Sequence, residues 1–357
     1  MNENQGESKG KTNQIGDDSK RIAIPSGSIM TVSTSPHIKS GETTSTIMFD
    51  VVIALLPALG WGLYIFGPRA LTLVAVSVFS CVLFEFLFCL VAKKRATVKD
   101  LSAVVTGILI AFNLPVNAPL WAPAVGAAFA IVIVKQLFGG IGKNIVNPAI
   151  AARAFLSLSF SFMSHFWDIN LPEKLPALEI NLKTPLDAIA GATPLSELKM
   201  GMTPELGFFK MFLGEMGGCI GEISALCLLV GGIYLIWRKV ISWHIPISFI
   251  ATVALITFFF PKESSDTLNF MLGHLFSGGL FLGALFMATD YATSPMAKTG
   301  KLIFGLGCGL ITVFIRYFGS YPEGVSFAIM IMNLFVWYID KATKPVKFGG
   351  ENAKKSK

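Results

Sequence analysis

The chain predicts an all-α polytopic membrane protein of about ten transmembrane helices, arranged as two inverted five-helix repeats with discontinuous helices. Three observations carry this. First, 53% of the 357 residues are hydrophobic and 14% charged, against roughly 25% charged in an ordinary soluble domain. Second, apolar runs near the ~20 residues needed to cross a bilayer recur along the chain. Third, the basic residues gather at the edges of those runs. The net charge of +7 is therefore a membrane-edge signal, which makes lipid the expected surroundings and argues against nucleic acid.

Residues 1–46 are polar and rich in Ser, Thr, Gly and Lys, with no apolar stretch of the kind that opens a secretory leader. They read as a cytoplasmic tail. A first set of five spans follows within 47–163, at 47–66, 69–92, 100–113, 119–138 and 147–163. A long outer loop occupies 164–216. The second set fills 217–340, with spans at 217–237, 244–261, 270–289, 301–319 and 322–340. Residues 341–357 form a basic cytoplasmic tail. The spans 100–113 and 147–163 are short or interrupted, and Asn113-Leu114-Pro115 and Asn147-Pro148 mark their ends. Broken helices are tolerated in a membrane where the freed backbone is buried in protein or lines a site.

Five spans per half reverse the second half, so a repeat must be inverted. Such a repeat matches the end of span three with Thr289-Asp290, and the start of span five with Pro322-Glu323-Gly324. Each match brings a helix N-terminus to a broken-helix end. With the N-terminus inside, 22 of the 29 basic residues fall on the inner side, with Lys135, Lys143 and Arg153 among them. That is the positive-inside arrangement, and it puts the 164–216 loop outside.

In that loop, Asp187-Ala-Ile-Ala-Gly-Ala-Thr193-Pro-Leu is a polar, turn-rich stretch. Gly191 and Ala192 leave the Thr193 hydroxyl sterically open, and Pro194 stops a helix from running through it. By itself such a stretch is usually just a turn. Asn144 and Asn147 stand near a helix start on the inner face, suited to presenting amides to a ligand. Asn147 followed by Pro148 is equally a plain N-cap. Asp290 either orients a ligand or caps a turn, and Glu323 either meets an outer ligand or sits in a first helical turn favoured by the dipole. Glu85, Asp50 and Glu222 fall in or near spans and are functional suspects, explained by an ion path or by pairing with a neighbouring subunit. The five cysteines and four histidines show no metal-ligand spacing, so no metal site is expected.

Three further segments point to a family. Phe138-Gly-Gly-Ile-Gly-Lys-Asn144-Ile-Val-Asn147-Pro-Ala149 resembles the G-G-x-x-x-N-x-x-N-P-A signature of the RnfD/NqrB membrane flavoproteins. Phe286-Met-Ala-Thr-Asp290-Tyr-Ala-Thr-Ser-Pro295 resembles their F-M-A-T-D-x-x-T-S-P segment, and Pro322-Glu323-Gly-Val-Ser-Phe-Ala328 their P-E-G-x-x-F-A motif. The Thr193 stretch, lying between them, resembles the family's D-x-x-x-G-A-T flavin attachment signal. Ala190 departs from the Ser or Thr often found there. In length the chain looks more like RnfD than NqrB.

The resemblance implies a subunit of an Rnf complex in the bacterial cytoplasmic membrane, passing electrons between ferredoxin and NAD and coupling them to sodium or proton export. It implies FMN joined to Thr193 through a phosphoester within a signal that includes Asp187, Gly191 and Ala192, with Glu323 near that outer flavin, and a noncovalent riboflavin served by Asn144 and Asn147 on the inner face, where Asp290 could orient a flavin. It also implies partners: a flavin-carrying outer-face subunit, iron–sulfur subunits, and a flavin transferase for maturation. The competing reading is a solute channel or carrier on the same inverted repeats. A channel has no use for an esterification signal, and the chain carries no nucleotide fingerprint or cysteine cluster of its own.

Overall fold

The computed structural model describes residues 43–94, 97–164, 166–167, 190–191, 194–199, 207–261, 267–319 and 323–344. Five apolar helices come first: α1 (Thr44–Phe66), α2 (Pro68–Val91), α3 (Ser102–Phe112), α4 (Trp121–Gln136) and α5 (Pro148–Ser159). Two short helices follow, α6 (Pro194–Lys199) and α7 (Phe208–Leu213). The second apolar set is α8 (Ala225–Trp237), α9 (His244–Phe259), α10 (Thr267–Phe276), α11 (Leu280–Met287), α12 (Lys298–Phe318) and α13 (Val325–Thr343). Four of these, α1, α2, α12 and α13, are each long and apolar enough to cross a membrane, and α10 with α11 qualifies as one bent span. The other five are shorter apolar helices. The fold class is the one predicted, a polytopic helical membrane protein. In addition, β1 (Phe166–Trp167) pairs antiparallel with β2 (Ala190–Gly191).

Helix starts follow local chemistry. Thr43 caps α1 by accepting from the Thr46 amide at 3.3 Å, and Ser224 caps α8 by accepting from the Cys227 amide at 3.3 Å. Asn147 caps α5 with Pro148 at its first position, where the missing amide hydrogen costs nothing.

Two boundaries differ from expectation. The sixth span begins at Ala225 rather than 217. The stretch before it is laid against the buried end of α3, where Gly221 N donates to Phe112 O at 3.0 Å and Ile220 N to Leu114 O at 3.1 Å. A helix that ends inside the protein leaves carbonyls without partners, and this segment supplies them. The eighth span is broken as well: α10 and α11 meet at 58° across Gly278 (φ 65°) and Gly279 (φ 52°), a left-handed region that glycine enters freely.

Packing repeats between halves. α2 lies on α3 and α4, as α9 lies on α10 and α12, while α1 meets α8 and α5 meets α13. Leu101 (φ 60°) precedes α3 as Gly279 precedes α11. Both halves also carry a π-helical stretch, Phe129–Gln136 ending α4 and Gly283–Met287 ending α11, a form that often marks functional positions.

Candidate functional site

Where the halves interlock, two sites form on opposite faces. On the face where α1 begins, Asn147 works with its whole amide. Its Oδ1 accepts from the Ala149 and Ile150 amides at 3.0 and 3.4 Å, and its Nδ2 donates to Met287 O at 3.1 Å. The start of α5 is thus fastened to the end of α11, the juxtaposition expected of inverted repeats. The Asn147 amide is occupied by this task, so Asn147 shapes the site rather than offering a free amide to a ligand.

A cavity opens beside that junction, holding about 760 Å³ of empty space counted out to its mouth. Asn144, Asn147, Asp290, Lys135, Ser102 and Thr106 supply its polar lining among apolar residues such as Leu285 and Phe286. Asn144 Oδ1 is buried and has no hydrogen-bond partner among the described residues. A buried acceptor left unpaired costs ~1–3 kcal/mol, so the atom is open to a donor beyond the described residues. Asp290 stands just past α11 and both lines the cavity and caps a turn, accepting from Thr293 Oγ1 at 3.1 Å. Burial raises its carboxyl above the usual range, against the lowering effect of bonds from Thr293, Ala292 and Tyr291.

Lys135 closes one wall. Its Nζ donates to both Glu85 oxygens at 3.0 Å and to Ser102 Oγ at 2.7 Å. Gln136 and Thr97 complete the Glu85 shell at 3.0 and 2.6 Å. Both charges are buried, and each of their polar atoms is answered, which is what a buried pair requires.

On the opposite face a smaller crevice of about 370 Å³ is lined by Pro194, Glu222, Ser277, Gly278 and Glu323. Arg153, one and a half turns into α5, reaches two carboxylates that line it. It donates to the carboxylates of Glu222 and Glu323, to Asn113 Oδ1, and to Cys219 Sγ at 3.8 Å. Ligand atoms of Cys219, Glu222 and Glu323 lie within 4.8 Å of one another, but the Arg153 guanidinium already supplies their counter-charge. Asn113 continues inward, with its Nδ2 3.7 Å from Met287 Sδ. Polar contacts therefore run from one crevice through Arg153 and Asn113 to Met287 and Asn147 at the other.

Of the residues singled out in sequence, Asn144, Asn147 and Asp290 meet at one cavity, and Glu323 stands apart at the second crevice. Asp187, Ala192 and Thr193 lie outside the described residues, and the Gly191 backbone belongs to β2. The membrane carboxylates find their cations within the chain, not only in a neighbour: Glu85 with Lys135, Glu222 with Arg153, and Asp50 with Arg238 at 3.0 Å and Tyr234 at 2.8 Å. Lys135 and Arg153 are accordingly buried pairing residues, not edge charges. Arg69 and Arg316 are also buried, donating to Ala118 O at 2.9 Å and to Gly278 O at 3.0 Å. Two basic residues thus leave each side of the charge count, and the sign of the bias stands.

The sequence of this chain has counterparts among known proteins. A model of the NQR2, RnfD, RnfE family matches residues 31–349. The chain belongs to that family. It is 47% identical over 329 residues to the D subunit of the Na(+)-translocating ferredoxin:NAD(+) oxidoreductase complex of Acetobacterium woodii, covering 91% of this chain and 97% of the relative. It is 40% identical over 330 residues to the D subunit of the proton-translocating ferredoxin:NAD(+) oxidoreductase complex of Clostridium ljungdahlii, covering 90% and 96%. The D subunit of the ion-translocating oxidoreductase complex of Escherichia coli is 35% identical over 347 residues, covering 90% and 99%. Within the NQR2, RnfD, RnfE family, the three signature segments of this chain converge on the junctions described above: Asn144 and Asn147 with Asp290 on one face, Glu323 on the other.

Proposed function

We propose that this chain is the membrane flavoprotein subunit of an Rnf-type ion-translocating ferredoxin:NAD oxidoreductase in the cytoplasmic membrane. It relays electrons between other subunits and does no substrate chemistry alone. The observation that carries the reading is the unpaired Asn144 Oδ1 in the cavity between the repeats. An isoalloxazine ring offers an N–H donor to such an acceptor and a flat apolar body to Leu285 and Phe286. Riboflavin is assigned to this cavity, held by Asn144, with Asp290 beside it and Asn147 fixing the wall.

The second cofactor is FMN, joined to Thr193 through a phosphoester. The sequence around Thr193 supports it, and Pro194, its neighbour in the chain, lines the crevice that holds Glu222 and Glu323. When bound, flavins supply reversible acceptance and donation of electrons, and the protein supplies binding, orientation and exclusion of water. Asn144 fixes one ring edge, the Lys135–Glu85 pair holds the wall without leaving a bare charge, and Arg153 holds the two carboxylates of the opposite crevice. The partners are the remaining complex subunits, with an outer-face flavin subunit and iron–sulfur subunits among them, and a flavin transferase for maturation.

The test is in-gel flavin fluorescence of the fully denatured chain, co-expressed with a flavin transferase, beside Thr193→Ala. A fluorescent band that vanishes in the variant supports covalent FMN. A dark wild-type band, with the transferase active on another substrate, removes the redox reading and favours a channel. Flavin released into the supernatant on denaturation reports riboflavin separately.

A further inference from the structure

A third cavity adjoins the Asn144 cavity, sharing Val240, Ile241, Thr289 and Tyr291 with it, where α8 ends and α9 and α12 begin. It holds about 780 Å³ counted to its open mouth and is lined by Lys239, Ser242, Trp243, Tyr291, Ser294 and Lys301. No carboxylate lines it; Asp290, in the same turn as Tyr291, lines the Asn144 cavity instead. Lys301 Nζ bonds Ser242 Oγ at 3.1 Å, and Lys298 stands one turn away on α12. None of Lys239, Lys298 and Lys301 has an ion pair among the described residues. Glu85, Glu222 and Asp50 pair with cations elsewhere in the fold, so this accumulation of positive charge is local to the crevice. α9 and α12 also start here without a side-chain cap, and their first amides add to the positive field.

The surroundings are apolar in a directed way. Trp243 is 49% exposed at the rim, where an indole suits the headgroup level of a bilayer. Exposed apolar ladders descend from the crevice along both flanking helices: Ile233 and Trp237 on α8, and Leu302, Leu306 and Leu310 on α12. A free inorganic anion needs the charge but not the ladders.

We propose that this crevice binds the headgroup phosphate of an anionic phospholipid, its acyl chains lying along α8 and α12, on the face where the basic loops place the cytoplasmic leaflet. The ammonium groups of Lys239 and Lys301 take the phosphate oxygens, and Ser242 and Tyr291 border the glycerol region. Lys239 and Lys301, on which the assignment rests, do not line the Asn144 cavity.

The full-length chain, stripped of lipid in neutral detergent, is titrated with phosphatidylglycerol or phosphatidylcholine carrying brominated chains, and tryptophan quenching is read. Phosphatidylglycerol is expected to quench at a concentration at least ~10-fold lower than phosphatidylcholine, and Trp243→Phe to remove part of that signal. Each of Lys239→Gln and Lys301→Gln raises the phosphatidylglycerol midpoint by about five-fold and leaves the phosphatidylcholine midpoint in place. Equal midpoints for the two lipids in the wild type overturn the proposal whatever the variants do. Displacement of the lipid by inorganic phosphate beyond the effect of chloride at equal ionic strength assigns the crevice to free phosphate and overturns it too. Loss of the selectivity in the assembled complex shows that another subunit covers the crevice, with the same consequence.

Discussion

Arg153 and Lys135 illustrate what a single residue does in this fold. Each is a cation in a nearly dry interior, and each has its donors answered by carboxylates and neutral acceptors. Removing one partner of such a pair leaves an uncompensated charge, which costs roughly 3–5 kcal/mol, whereas replacing both by apolar groups is often near neutral. Glu85→Ala should therefore lower the thermal midpoint of the purified chain sharply, and Lys135→Met with Glu85→Leu should restore most of the loss. A double variant as unstable as the single one would show that the pair does more than satisfy itself. At the neighbouring wall, Asn144→Ala deletes one acceptor. If riboflavin occupies the cavity, a net hydrogen bond of ~0.5–1.5 kcal/mol predicts two- to ten-fold weaker retention, measured as flavin released during a fixed wash. The sequence singled out Asn144, which lines the cavity, but took Lys135 and Arg153 for edge charges. Counted along the chain they look like charges flanking spans, and their burial follows from packing between segments that are 50 or more residues apart.

At the scale of elements, the spans were legible because apolar length is a local property. Most helix ends fall within three residues of the sequence reading. What was not legible was where the backbone leaves the helix inside an apolar run. Gly278 and Gly279 sit in the eighth span, and Gly217, Gly218 and Gly221 before the sixth, yet glycine is also common in continuous membrane helices. Only the neighbours decide. A Cβ on Gly279 would lie 2.6 Å from Glu222 Oε1, in a left-handed conformation. Gly279→Ala is thus expected to destabilise by about 2 kcal/mol and to shift the carboxylate that Arg153 holds. Gly60, in α1 with nothing within 4 Å, provides the control: Gly60→Ala should be neutral or slightly stabilising. Comparing the two melting curves separates a break that the fold requires from a glycine that it merely tolerates.

Over the whole molecule, the contacts of α1 with α8 and of α5 with α13 give the inverted arrangement its physical basis, because equivalent helices meet across the two halves. The orientation deduced from basic residues makes a direct prediction. In a chain whose native cysteines are replaced, a cysteine at Lys99 or Lys143 should react with a membrane-impermeant maleimide only from the cytoplasmic side, and one at Lys210 only from the outside. The reverse pattern would invert every assignment of face made here. The purified chain alone is expected to oxidise no NADH, since its described cavities hold no nucleotide-binding loop; activity at this stage would place the nicotinamide site on this subunit.

The wiring of the two buried cations also bears on how the protein is made. Lys135 meets Glu85 within the first five helices, so its charge is neutralised as soon as that half is inserted. Arg153 depends on Glu222 and Glu323, which are still untranslated when α5 enters the membrane. For the time it takes to synthesise the remaining residues, the first half carries an orphan arginine. A nascent chain in that state is expected to be a substrate for membrane quality control. A fragment ending after residue 163 should be degraded quickly in cells, and its Arg153→Leu version should persist, which pulse-chase labelling would reveal. Arg153 then serves as a completeness check on biogenesis, silent only once the second half has arrived.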